Sequence, residues 1–174
     1  MTRKPIPFED LRANVHHLWS KQGLLLTSGD LAAGRFNTMT VGWGSLGVMW
    51  GRPFVQVVVR PTRYTYGFME RYDTFTLCAF PEVHRRALQL LGTRSGRDGD
   101  KIAEAGLTPI ASTQVPAPGF AEADLIVECH KMYWQDMDPA HFLDPAIEKH
   151  YPAKDYHRIY FGEVVAIYGT EAYM

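Results

Sequence analysis

Four short stretches bring together side chains able to hold a polar, anionic ligand. In NTMTVGW, the amide of Asn37 and the hydroxyls of Thr38 and Thr40 offer hydrogen bonds, and Trp43 adds an aromatic wall. In VVVRPTRYTY, Arg60 and Arg63 flank the hydroxyls of Thr62 and Thr65 just after a strand-like run. Arginines beside hydroxyls at a helix start suit a phosphate, because the donors converge where the helix dipole favours negative charge. In RSGRDGDK, Gly96 and Gly99 let backbone N–H groups approach an anion, and Arg94, Arg97 and Lys101 supply positive charge. In KDYHRIYFGE, His157 stands just before a β-rich run. Each stretch also has a plain alternative: a solvated strand face, ordinary surface arginines, a charged loop, a structural histidine.

The glycines that follow the first stretch, Gly42, Gly44 and Gly47, reproduce the spacing G-x-G-x-x-G. A dinucleotide-binding turn needs a helix leaving the glycines and an acid about 20 residues on. Here VMWGRPFVQVVVRP follows, which reads as a strand, and the first acid is Glu70. Glycine has another use where a strand bends around a barrel corner or passes under a flat ligand, because it removes the side chain that would clash. The charged loop is neither a Walker loop nor an EF-hand, and the histidines show no zinc spacing. No metal site is expected.

Positioning these stretches falls to strands more than helices. LLLTSG, FNTMTVGWG, PFVQVVVRP and DTFTLCAF read as strands, and LTPIAST, ADLIVECHKMYWQDM and HRIYFGEVVAIYG supply further β-rich segments. Alternation turns Thr38 and Thr40 one way and Asn37, Met39 and Val41 the other. Helices are expected over FEDLRANVHHLW, TYGFMERY, VHRRALQLLG and DKIAEAG, the last started by Asp98 or Asp100. The segment 138–156 is broken by prolines and reads as a surface excursion with one or two helical turns. Strands do not alternate strictly with helices, which favours a closed or nearly closed antiparallel barrel with helices outside it.

The chain has 174 residues, enough for one domain with a sizeable core. Its 18 basic and 19 acidic residues balance, so the charge exerts no general pull toward nucleic acid or membranes. Cys78 and Cys129 form no CxxC and are expected as buried thiols. The start, MTRKPIPFEDL, carries no apolar signal region, which implies a cytoplasmic protein.

Taken in order, NTMTVGWG, VVVRPTRYTY, DTFTLCAFP, TRSGRDGDK with AGLTP, ADLIVECHK and YHRIYFGEV resemble the flavin reductase-like family of FMN-binding split barrels, which includes flavoredoxins. The resemblance runs from about Leu24 to Val165. It implies a mainly β, six-stranded antiparallel Greek-key split barrel with peripheral helices, as a homodimer with one FMN in each cleft. It further implies that Asn37, Thr38, Met39, Thr40 and Trp43 contact the flavin, and that Arg60, Thr62, Arg63 and Thr65 lie near the phosphate and ribityl chain. Ser95, Gly96, Arg97 and Lys101 would close over the cofactor, with His157 near the ring. A flavin does its own redox chemistry, so no catalytic side chain is named. NADH or NADPH would donate hydride, and free flavin, a partner protein or oxygen would take the electrons. The resemblance also admits a non-enzymatic electron carrier, or a dimeric regulatory protein without FMN.

Overall fold

Apolar residues at every second position decide which face of each strand turns inward. Leu24 and Leu26, Val55, Val57 and Val59, Phe75, Leu77 and Ala79, and Leu125, Val127 and Cys129 all reach one core. A Leu, Val or Phe side chain buried in this way contributes about 1.5–3 kcal/mol. The computed structural model describes residues 2–174. In chain order the first elements are β1 (Lys4–Pro5), α1 (Val15–His17), β2 (Leu24–Asp30), β3 (Arg35–Val41), β4 (Gly44–Met49) and β5 (Arg52–Val59). After them come α2 (Tyr64–Arg71), β6 (Thr74–Ala79), α3 (Arg85–Thr93) and α4 (Lys101–Glu104). The chain closes with β7 (Pro109–Ile110), β8 (Gly119–Phe120), β9 (Leu125–Asp136) and β10 (Arg158–Gly169).

Strands of the main sheet run in the order β3-β2-β6-β9-β10-β5-β4, with β1 paired to the end of β10, and every ladder is antiparallel. Since alternate residues of six of these strands share one core, the sheet curls around it as a barrel. The barrel is split: among the described residues no ladder joins the edge strands β3 and β4. A second cluster, with Leu25, Cys78 and Ile126 from the outer faces of β2, β6 and β9, lies under Leu88 and Leu91 of α3 and Ile102 of α4.

Four expectations need correction. The main sheet has eight strands instead of six, with β7 and β8 forming a separate pair. FNTMTVGWG is not one strand, because the chain turns at Gly42 and Trp43 and restarts as β4. A Cβ on Gly44 would come within 2.3 Å of the Trp19 ring, so the glycine spacing serves this close approach and not a phosphate turn. Helix covers only the second half of 8–19: Phe8–Asp10 is a single 3-10 turn, and α1 begins after Asn14, whose side chain accepts the His17 N–H at 3.2 Å, and continues as a π-helical turn over Leu18–Gln22 up to Gly23. LTPIAST shrinks to the two residues of β7.

The helices after β5 lie close to their expected places. Asp100 caps α4 by accepting from Ile102 and Ala103, each at 3.1 Å. Both cysteines are free and buried, and burial pushes the Cys78 thiol up to about 12. The excursion forms two 3-10 segments, Pro139–His141 and Pro145–His150, capped by Asp138 and Asp144. Among the described residues no helix is long and apolar enough to cross a membrane.

Candidate ligand-binding cleft

Two adjoining clefts open where β3 and β5 meet the start of α2, and Met39 and Arg63 line both. The first is cationic, about 100 Å³, and lies between β3, α2 and the loop 94–100. Arg63 is the residue before α2, so the first N–H groups of that helix lack intrahelical acceptors at the cleft wall. Its guanidinium donates to the Gly92 carbonyl at 3.2 Å and remains exposed. Lys101 is buried, and its Nζ donates to the carbonyls of Leu91 at 3.0 Å and Arg94 at 3.2 Å at the end of α3. Burial, aided by Arg63, lowers this amine to about 8. Asn37 donates to the Thr65 hydroxyl at 2.7 Å, which ties β3 to α2. The loop is held by Arg97, whose guanidinium lies 4.9 Å over the Tyr64 ring, and by the Arg97 N–H donating to the Ser95 hydroxyl at 3.2 Å.

The second cleft, about 190 Å³, has Met39, Val41, Val58, Trp43 and His157 on its walls beside Arg60 and Arg63. Trp43 is half exposed and stands 5.1 Å from the His157 ring and 5.4 Å, edge-on, from the His150 ring of the excursion. Nδ1 of His157 shares a 2.8 Å hydrogen bond with the Tyr151 hydroxyl. Burial first, and the charge of Arg60 next, lower His157 to about 4, so it is neutral near pH 7. Arg60 lines this cleft too, but its guanidinium is engaged at 2.7 Å with Asp155 and at 2.7 Å with the His150 carbonyl. It fastens the excursion to the barrel.

Of the residues singled out from sequence, Asn37, Met39, Thr62, Arg63, Thr65, Ser95, Gly96, Arg97 and Lys101 meet at the cationic cleft. Met39, Thr40, Trp43, Arg60, Arg63 and His157 meet at the second. Thr38 lines neither: it is fully buried, its hydroxyl joined to Thr27 at 2.9 Å and donating to the Leu26 carbonyl at 3.1 Å. The Thr40 hydroxyl likewise donates to the Leu88 carbonyl at 2.5 Å, against α3. Sequence reasoning missed Tyr151, which positions His157, and Tyr64, which carries Arg97. Tyr64 could have been flagged by its place at a helix start directly after Arg63. Tyr151 sits in an irregular segment and sends no periodic signal.

The family described as "Flavin reductase like domain" matches residues 20–173. The chain belongs to this family. The flavin reductase-like match begins inside the turn before β2 and takes in both clefts whole. No curated protein matches the chain. Among solved structures, the FMN-binding domain of a flavin reductases-like enzyme from Shewanella baltica superposes with a TM-score of 0.70 at 15% identity, covering 97% of this chain and 77% of that one. Flavoredoxin of Desulfovibrio vulgaris gives 0.67 at 20% identity, over 92% and 75%. An NADH:FAD oxidoreductase of Streptomyces globisporus gives 0.66 at 17%, over 88% and 78%. These likenesses carry the fold, a mainly β split barrel of the flavin reductase-like kind.

Proposed function

We propose that the chain binds FMN across the two clefts and passes hydride to it from NADH or NADPH, as a cytoplasmic homodimer. One observation carries this reading: two adjoining clefts that share Met39 and Arg63 are cationic at Lys101 and Arg97 on one side and carry Trp43, Val58 and His157 on the other. The donors suit a phosphate at one end, since a guanidinium, an ammonium, hydroxyls and free helix N–H groups converge there. The other end suits a flat ring. When bound, FMN supplies the hydride-accepting chemistry. The chain contributes binding and alignment, and the neutral His157 leaves Nε2 without a protein partner among the described residues. The related proteins named for FMN binding and for NADH:FAD oxidoreductase activity support the reading.

A homodimer is supported by exposed aromatic surface around Trp50, 62% exposed, which packs edge-on to Tyr133 at 6.0 Å. A monomer in light scattering at micromolar concentration with FMN bound contradicts it.

The test of function is a visible spectrum after incubation with FMN and desalting, repeated after anaerobic NADH or NADPH. Retained flavin bands that bleach with either nucleotide support the oxidoreductase; a colourless protein overturns the reading. A second reading, an electron carrier closed to nicotinamide, is favoured by the excursion packing His150 against Trp43. Bands that bleach with dithionite but with neither nucleotide select it.

A further inference from the structure

The two ring nitrogens of His157 have different surroundings. Nδ1 turns inward, to the hydroxyl of the buried Tyr151 at 2.8 Å. Among the described residues only Trp19 Nε1 and Thr74 Oγ1 are side-chain atoms buried without a hydrogen-bond partner. Nε2 of His157 also lacks a partner, so it is not buried and reaches the surface of the second cleft, which His157 lines.

Tyr151 decides which nitrogen carries the ring proton. Its hydroxyl has one proton and two neighbours able to accept it, Nδ1 at 2.8 Å and the Met137 thioether sulfur at 3.3 Å. An imidazole nitrogen is a good acceptor and a thioether a weak one, so Tyr151 donates to Nδ1. The ring is neutral near pH 7, since burial and then the charge of Arg60 lower it to about 4. Burial raises the Tyr151 phenol, which keeps its proton there as well. The single proton of the neutral imidazole therefore stands on Nε2 and faces the cleft.

The excursion holds this hydrogen bond in place. Phe142 stacks on the Tyr151 ring at 6.0 Å with 23° between planes, and Tyr156 packs at 5.0 Å. The Arg60 guanidinium lies 4.9 Å over the same ring while it binds Asp155 and the His150 carbonyl.

We infer that Tyr151 is a positioning residue that fixes His157 as an Nε2–H donor to a carbonyl oxygen of a flat ligand in the second cleft. This rests on the flavin-binding reading above. Two sources of that carbonyl fit, the pyrimidine edge of the flavin and the carboxamide of a nicotinamide lying on it. A neutral donor suits the place, because a charged imidazole would stand against Arg60 and Arg63.

The tautomer is tested in the free protein by a long-range nitrogen–proton correlation spectrum of histidine-labelled chain near pH 7. The His157 signal is the one lost in His157→Gln. The proton should stand on Nε2 in the wild type, and Tyr151→Phe, which keeps the ring and removes the donor, should let the two tautomers mix. A wild-type proton on Nδ1, or a tautomer unmoved in Tyr151→Phe, overturns the role of Tyr151. The ligand is tested with His157→Leu, its melting temperature measured alongside. Loss of one hydrogen bond should weaken FMN and riboflavin alike by about two- to tenfold if the carbonyl is the flavin's. If it is the carboxamide's, both flavins are spared and KM for NADH or NADPH rises by that factor. His157→Gln, whose amide can donate, should restore part of the loss. Unchanged flavin affinity together with unchanged KM, or a loss as large in His157→Gln as in His157→Leu, overturns the carbonyl assignment. Should His157→Leu not fold, Tyr151→Phe carries the same comparison. If neither flavin binds the wild type, the flavin-binding reading fails and the carbonyl assignment with it, whereas the tautomer is decided by the free protein alone.

Discussion

Gly96 lies so close to Asn37 that a Cβ on it would come within 2.3 Å of the Asn37 side-chain oxygen. The loop 94–100 is thereby seated on β3, and its position follows from the absence of one carbon atom. Tyr64 closes the same spot from α2, at 2.9 Å from that hypothetical carbon.

Gly96→Ala should therefore push the loop away from β3. Overpacking of this kind costs about 1–3 kcal/mol, and urea unfolding measures it. FMN affinity should fall with it, because Arg97 and Ser95 move with the loop. Unchanged stability and unchanged FMN binding would show that the loop does not rest on Asn37 in solution.

Arg63→Ala separates recognition of phosphate from recognition of the ring. Loss of a charge-assisted hydrogen bond should weaken FMN by about 1.5–3 kcal/mol and leave riboflavin, which lacks the phosphate, nearly unaffected. Trp43→Ala should weaken both ligands alike. Equal losses of FMN and riboflavin in Arg63→Ala would remove the phosphate from this cleft.

Lys101 ties FMN affinity to pH. In the free protein its amine is lowered to about 8, and a phosphate beside it favours the charged form, so its pKa rises on binding. The affinity it contributes is complete below pH 8 and is lost as pH climbs through the pKa of the complex, by up to about tenfold per unit. FMN titrations from pH 7 to 10 should show this decline. Lys101→Met should flatten it, and riboflavin should not show it.

His157 should make the fold acid-sensitive. Its folded value is about 4, below the ordinary 6.5, so below pH 6.5 the unfolded chain takes up a proton that the folded chain refuses. Stability present above pH 6.5 is then lost as pH falls toward 4, by up to about 3 kcal/mol. His157→Gln should remove that part of the slope in urea titrations. A slope unchanged by the substitution would mean that His157 is not held neutral against Tyr151 and Arg60.

Much of the barrel can be read from the sequence, since alternation at Leu24 and Leu26 or at Val55, Val57 and Val59 is imposed locally by a two-sided strand. The break at Gly42 and Trp43 cannot, because it depends on Trp19 arriving from a distant turn. The cations of the cleft are visible as residue types, whereas their engagements are not. Lys101 reads as a loop cation and is found holding the end of α3; Arg60 reads as a phosphate ligand and is found fastening Asp155. Thr38 has the residue type of a ligand contact, but its hydroxyl is met by Thr27 across the ladder. Register and tertiary partners decide each of these, and no short window of sequence carries them.

The place of β10 between β9 and β5 governs how the molecule assembles. Among the described residues, the strands β3, β2, β6 and β9 on one side and β5 and β4 on the other are joined in the sheet only through it. Until residues 158–169 have emerged, a growing chain holds two half-sheets whose facing edges are unpaired. Such open edges invite pairing with other chains, so the nascent protein passes through an aggregation-exposed stage that ends when β10 inserts. The pairing of β5 with β10 also spans about a hundred residues, a long-range closure of the kind that slows folding.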